Sequence, residues 1–326
     1  MRHTEATIDA ATRHGEPTAA THPASVRCYV LATRPAFLSV TLVGVLLGLA
    51  SAWHDEVPLR TVEAALTLLF ALAAHAGANV VNDFHDALNG TDAANTERVF
   101  PFTGGSRFIQ NGVLSTAATA RLGYGLLLAV IPAGLWLTTH SASGLLLIGA
   151  AGLLVGWAYS APPLALASRG MGELAITAGW LLVVIGSDFV QRGAVHPLPI
   201  AAGIGFALLV ANLLYINQFP DATADAMAGK RTLVVRLGRR RARWGYALIA
   251  MTANVSVVVS VMTGTLPAAA LLALLALPLS IAAFQSLWHF AETPAHLSPA
   301  IKLTIAATHL HGLLLAVVLI FSKGTP

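Results

Sequence analysis

Two short runs of this chain concentrate the side chains that do chemistry. The first reads Asn79-Val-Val-Asn82-Asp83-Phe-His85-Asp86-Ala-Leu-Asn89-Gly90-Thr-Asp92, and the second Asn217-Gln218-Phe-Pro220-Asp221-Ala-Thr-Ala-Asp225-Ala-Met-Ala-Gly229-Lys230-Arg231. Helical residues three and four apart share a face. Asn79, Asn82, Asp83 and Asp86 therefore form one stripe, and Asn217, Asp221 and Asp225 another. Like charges at that spacing destabilise a helix, so something cationic belongs between them. Magnesium suits that place: it takes oxygen ligands and is usually held by one or two carboxylates together with substrate phosphates. Two facing stripes would hold two such ions around a diphosphate, with Arg98, Arg107, Lys230 or Arg231 completing the neutralisation.

The elements that must carry these stripes are set by composition. The chain has 326 residues, 56% hydrophobic and only 10% charged, with a mean hydropathy of +0.71. A water-soluble domain carries about 25% charged residues, so the solvent is a bilayer, and disorder, coiled coil and collagen are excluded on the same figures. A net charge of +4 and a pI near 9.6 would suit nucleic acid, but no aromatic-interleaved basic stripe is present. Cys28 is the only cysteine, which excludes an intramolecular disulfide and a thiolate metal cluster.

After a polar stretch, the chain breaks into apolar runs of about 20 residues, the length a helix needs to cross a bilayer. They span 36–53, 62–81, 116–137, 144–159, 174–190, 200–216, 246–262, 267–287 and 303–321. The expected fold is all-α, a polytopic membrane protein of about nine transmembrane helices, in two four-helix units plus one. Residues 1–29 read as a disordered cytoplasmic tail, and 30–322 as a single transmembrane domain. Lys and Arg gather on alternate connections, most densely from Lys230 to Arg243, which predicts an inner-membrane protein with its N-terminus and both acidic runs cytoplasmic. A polar head would enter there from water while a lipid tail stays in hydrocarbon, a geometry that favours a polyprenyl diphosphate.

A single Asp-x-x-Asp at a helix end is ordinarily a solvated cap. Two, at equivalent places in a repeated unit and each preceded by Asn, point to a shared site. Intramembrane carboxylates also mark transporters, so a cation-coupled transporter is the alternative of a different class. Against it, the acids sit at helix ends, and the spans otherwise carry only Glu63, Glu173 and Asp188.

The motifs Asn82-Asp83-x-x-Asp86 with Asp92 following, and Asn217-x-x-x-Asp221-x-x-x-Asp225-x-x-x-Gly229-Lys230-x-Thr232-Leu233, resemble those of the UbiA superfamily of intramembrane prenyltransferases, over residues 30 to 322. Asp86-Ala-Leu-Asn-Gly90-Thr-Asp92 and Gly229-Lys230-Arg-Thr232-Leu-Val-Val-Arg236-Leu-Gly238 are similar to the 1,4-dihydroxy-2-naphthoate (MenA-like) branch of menaquinone synthesis. Pro220 and Ala226 stand where that branch often carries Arg. The resemblance implies an enzyme that transfers a polyprenyl group from its diphosphate to an aromatic acceptor, most simply dihydroxynaphthoate, with 4-hydroxybenzoate and homogentisate as alternatives. It implies Mg2+ held by Asp83, Asp86, Asp221 and Asp225, with Asp92 a third ligand or a loop cap.

Alongside that resemblance, Asn82 and Asn217 are expected at the substrate, Arg34 at the acceptor carboxylate or at the membrane interface, and Tyr159 opposite the reacting prenyl carbon or in an interfacial belt. Thr103-Gly104-Gly105-Ser106-Arg107 reads as a phosphate cradle or a plain turn. His85 is expected to point away from the acids. Glu173, Asp188, His309 and His311 receive no role, and neither prenyl chain length nor oligomeric state is specified.

Overall fold

The computed structural model describes residues 15–22 and 25–324, and among them every regular element is helical. In order they are α1 (Val26–Ala32), α2 (Ser39–His54), α3 (Thr61–Asn89), α4 (Thr91–Ala94), α5 (Thr116–His140), α6 (Gly144–Ala158), α7 (Gly172–Arg192), α8 (Pro197–Met227), α9 (Leu233–Leu237), α10 (Arg239–Met262), α11 (Leu277–Phe290) and α12 (Ser298–Phe321). A 3-10 turn, Pro35–Leu38, leads into α2, and a longer 3-10 stretch, Ala268–Ala276, leads into α11.

Eight of these helices, counted with their 3-10 leads, are long and apolar enough to cross a membrane. The ninth expected span differs: α6 has 15 residues, about 22 Å at the helical rise, less than the roughly 30 Å of a hydrocarbon core. Two spans overrun their apolar stretches. α3 continues to Asn89 and α8 to Met227, straight through Pro220. Each acidic run thus lies on the last turns of a long membrane helix, which keeps its stripe on one face. Gly90, in the left-handed region at φ 84, ends α3 as a glycine cap ordinarily does and turns the chain into α4.

The most buried span is α8, packed by α7, α10, α2 and α12. Phe206, Ile216 and Phe219 are fully enclosed there. Lipid is as apolar as leucine, so helices in a membrane associate through close packing rather than hydrophobic exclusion. Gly48 on α2 illustrates this: a Cβ there would collide with the Val184 carbonyl of α7. By contrast Leu128, Leu147, Leu154 and Met251, on α5, α6 and α10, are exposed and belong to the lipid face.

The disorder expected over 1–29 does not hold for its described part. Residues 1–14 and 23–24 lie outside the described residues, but α1 is helical and Glu16 is docked on the body of the protein. Its side chain is wholly enclosed beside Arg98, with Nε 2.6 Å from Oε1. A buried carboxylate with that many cationic partners holds a polar segment in place where composition alone predicts a free one.

Candidate active site

The two stripes meet at one end of the bundle, joined by a lysine. Lys230, three residues beyond α8, places Nζ 3.0 Å from Asp86 Oδ1 on α3 and 3.1 Å from Asp225 Oδ1 on α8. Burial alone would lower the Lys230 pKa, but the two carboxylates hold it above its ordinary value. The cation required between the stripes is therefore supplied in part by the chain itself. Beside it, Asn95 Nδ2 donates to Asp221 Oδ1 across 2.5 Å, fastening the segment after α4 to α8.

Asp83 is buried behind this pair. Its Oδ2 accepts the Ser106 backbone N–H at 3.0 Å, while Oδ1 is enclosed without a hydrogen-bond partner. Gly105 makes the approach possible. It lies in the left-handed region at φ 73, and a Cβ on it would strike Asp92 Oδ2 and stand 3.2 Å from Asp83 Oδ1. Asp92, returned to the site by the Gly90 turn, is buried beside the other acids and accepts from Gln110 Nε2 at 3.3 Å. Burial, and then the nearby Asp86, Asp83 and Asp221, push its carboxyl well above the usual carboxylate range. Asn82 donates from Nδ2 to Asp86 Oδ2 at 3.1 Å and to Ser160 Oγ at 3.0 Å. Asn217 lines the cavity below with an unpartnered, enclosed Oδ1.

This donor set fits a hard divalent cation. It is all oxygen, it is rich in carboxylate, and two of its buried acceptors lack a partner. Among the described residues no three His, Cys, Asp or Glu side chains converge tightly enough to cage an ion alone. A cation held here would complete its shell with further oxygen ligands, such as the phosphates of a substrate.

The expected basic residues divide. Lys230 is at the centre. Arg98 and Arg107, expected on the diphosphate, are instead engaged by Glu16: Arg98 at 2.6 Å and Arg107 Nε at 3.5 Å, with Asn111 Nδ2 donating 3.1 Å to the same carboxylate. Arg107 also donates to the Asp92 carbonyl, so it supports the acidic cluster from outside. Arg231 is exposed; its backbone N–H bonds to Ser168 O at 2.8 Å and its side chain makes no polar contact among the described residues. The loop Thr103–Arg107 spends the Ser106 N–H on Asp83 rather than leaving it for a phosphate.

Below the acids lies a cavity of about 550 Å3, reached by Arg34, Asn79, Asn82, Tyr159 and Asn217 and walled mainly by aliphatic side chains of α3, α5, α6 and α7. Tyr159 stands at its rim, at the end of α6. Arg34 has left-handed backbone geometry, φ 58, unusual for a residue with a side chain. Its Nη2 donates to Phe102 O at 2.8 Å, and its guanidinium lies 4.5 Å from the Phe37 ring centre. It also borders a second cavity of about 260 Å3 with aromatic and proline walls.

Several residues found here were not legible beforehand. Glu16 sat in a stretch without apolar periodicity, and Asn95 and Gln110 are common loop residues whose partners lie on other elements. His85 does turn from the acids, with Nε2 3.0 Å from Tyr124 Oη. Glu173 accepts from Gln218, His309 Nε2 is 2.8 Å from Ser39 Oγ, and Asp188 pairs with Arg192 at 2.8 Å. His311 is fully enclosed in α12, beside the Ala273 backbone.

The chain is similar to known proteins in sequence and in fold. The profile of the UbiA prenyltransferase family matches residues 39–320. The chain is 33% identical to the 1,4-dihydroxy-2-naphthoate octaprenyltransferase of Mycobacterium tuberculosis over 236 residues, covering 71% of this chain and 77% of that protein. It is 28% identical to the enzyme of the same name from Bacillus subtilis over 298 residues, 89% and 91% of the two chains. A solved UbiA homolog from Archaeoglobus fulgidus bound to DMAPP and Mg2+ has the same fold, with a TM-score of 0.55 and 15% identity over 89% of this chain and 99% of that one.

Proposed function

The chain belongs to the UbiA prenyltransferase family, and from that premise we propose that it transfers a polyprenyl group to 1,4-dihydroxy-2-naphthoate, with Mg2+, at the cytoplasmic face of the inner membrane. It is an integral membrane prenyltransferase acting on a prenyl diphosphate and an aromatic acceptor. The observation that carries the finer reading is the convergence of Asp86 and Asp225 on Lys230 directly above a deep aliphatic cavity. A charged head is held at its mouth and a long hydrocarbon tail below.

Asp83, Asp86, Asp221 and Asp225, with Asp92 behind them, would hold magnesium, which when bound supplies positive charge to the diphosphate oxygens. Lys230 adds a fixed ammonium on the same side. As the bond from the prenyl C1 to oxygen breaks, negative charge grows on the diphosphate, so cations fixed there stabilise the transition state more than the ground state. Tyr159 and Asn217, at the rim, face the allylic cation left behind and keep water from it. Arg34 binds the acceptor carboxylate and turns the electron-rich ring toward C1. The ring carbon bearing the carboxylate then forms the new bond to C1, its bond to the carboxylate breaks with the electron pair returning to the ring, and the products are a demethylmenaquinol, carbon dioxide and diphosphate. The chain's similarity to two naphthoate octaprenyltransferases supports this acceptor.

The test is purified protein in detergent with magnesium, a series of polyprenyl diphosphates, and dihydroxynaphthoate, 4-hydroxybenzoate and homogentisate, read by mass spectrometry. A decarboxylated, prenylated naphthalenediol is expected, lost with a chelator and restored by magnesium. Product from a different acceptor in preference to dihydroxynaphthoate would overturn the assignment.

A further inference from the structure

The wall of the large cavity is divided by helix. Below Tyr159, α5 and α6 contribute only aliphatic side chains and glycines. The opposite side, from α2, α3 and α7, carries polar groups. Two of these are satisfied within their own helices: Thr67 Oγ1 donates to Glu63 O and Ser187 Oγ to Val183 O, each at 2.7 Å. One is not. His75, on α3, has Nδ1 2.8 Å from Thr41 Oγ1 and its ring edge-on to Trp180, 5.1 Å between centres at 90°. Its Nε2 has no hydrogen-bond partner among the described residues and is not sealed off by neighbouring atoms. It therefore opens onto the cavity that His75 lines.

We propose that His75 Nε2 binds a ring hydroxyl of the aromatic acceptor, a reading that rests on the acceptor chemistry proposed above. A polyprenyl chain has no polar atom to offer this nitrogen, and the diphosphate sits too high: eleven residues separate His75 from Asp86 on one helix, about 16 Å. Asn82 lies about 10 Å above it by the same rise, a depth comparable to a fused two-ring aromatic. An unpartnered imidazole in a membrane cavity is costly to keep unless a ligand completes it. The 2.8 Å contact between Nδ1 and the buried Thr41 hydroxyl sets which ring nitrogen carries the proton, and in either tautomer the neutral Nε2 can bond a hydroxyl, which both donates and accepts. Trp180 fixes the ring plane. The acceptor is thereby held at two points, its carboxylate by Arg34 and its hydroxyl by His75, in the polar limb of the cavity, while the prenyl chain takes the aliphatic limb between α5 and α6.

Steady-state kinetics on the purified full chain test this, varying each substrate in turn for wild type, His75→Phe, His75→Gln and Thr41→Val. His75→Phe keeps a ring against Trp180 but loses Nε2, and should raise the acceptor KM at least tenfold while the polyprenyl diphosphate KM stays within twofold. His75→Gln should recover part of the loss. Thr41→Val, which leaves His75 in place but frees its tautomer, should give an intermediate acceptor KM with the same unchanged diphosphate KM, and it keeps the test valid if His75→Phe folds poorly. An unchanged acceptor KM in His75→Phe and Thr41→Val, or a rise confined to the diphosphate KM, overturns the role of His75 while leaving the function intact. A wild-type chain that prenylates none of the hydroxylated acceptors instead removes the function reading, and this inference with it.

Discussion

The Lys230 ammonium stands 3.0 Å from Asp86 Oδ1, tying the segment after α8 to the last turns of α3 across 144 residues of sequence. The pair is nearly enclosed, 11% and 13% exposed at the side chains. Removing one partner of a buried ion pair leaves an uncompensated charge and costs roughly 3–5 kcal/mol. Lys230→Met is expected to lower the thermal unfolding midpoint, to reduce turnover by at least ~100-fold, and to make the midpoint more responsive to added magnesium. A midpoint and turnover equal to wild type would contradict the central role of this lysine.

Asp86→Asn and Asp221→Asn test the two stripes separately. Each removes a negative charge but keeps size and hydrogen-bonding capacity, so membrane insertion and the elution profile should be unchanged. Turnover should fall by ~100-fold or more, the scale seen when one electrostatic contact to a developing charge is lost. Retention of magnesium-dependent transfer in either variant, measured by product formation across a metal titration, would remove that residue from the metal site.

The docking of Glu16 should depend on pH. Burial by itself would raise its pKa, but hydrogen bonds from Arg98 and Asn111, and the charges of Arg98 and Arg107, outweigh it and leave the net value below the ordinary 4.5. A carboxylate with a lowered folded value contributes stability above its unfolded pKa and loses it as pH falls through the folded one. Residues 15–22 should therefore be protected from hydrogen exchange at neutral pH and lose protection below about 4.5. In Glu16→Gln that transition should disappear. The same acid transition in the variant would assign it to another group.

The reach of the aliphatic cavity predicts chain-length selection. Gly149 and Gly152 on α6 line it, and a Cβ at either meets nothing within 4 Å. Gly152→Phe should fill the tail limb without displacing the acids. The kcat/KM for long polyprenyl diphosphates is expected to fall by at least ~10-fold relative to a short one. An unchanged ratio would place the tail elsewhere.

Much of the fold was legible because the bilayer imposes one rule. A span must satisfy its backbone internally and be apolar for about 20 residues, so eight of the expected spans coincide with helices long and apolar enough to cross a membrane. The stripes were legible for a related reason: helical spacing converts Asn82, Asp83 and Asp86, and Asn217, Asp221 and Asp225, into faces before any tertiary contact is known. Boundaries were less so, since α3 and α8 extend through polar turns that hydropathy cuts off.

The amino-acid sequence by itself determined the solvent, the helical class, the two acidic faces and their likeness to a prenyltransferase family, because each is a local or compositional property. Only the tertiary structure decided which charges meet. It drew Lys230 between Asp86 and Asp225, diverted Arg98 and Arg107 to Glu16, left Arg231 outside, and turned one nitrogen of His75 toward the cavity. Partner choice in a low-dielectric interior depends on distances of a few ångströms between residues far apart in the chain, and no spacing along one helix encodes them.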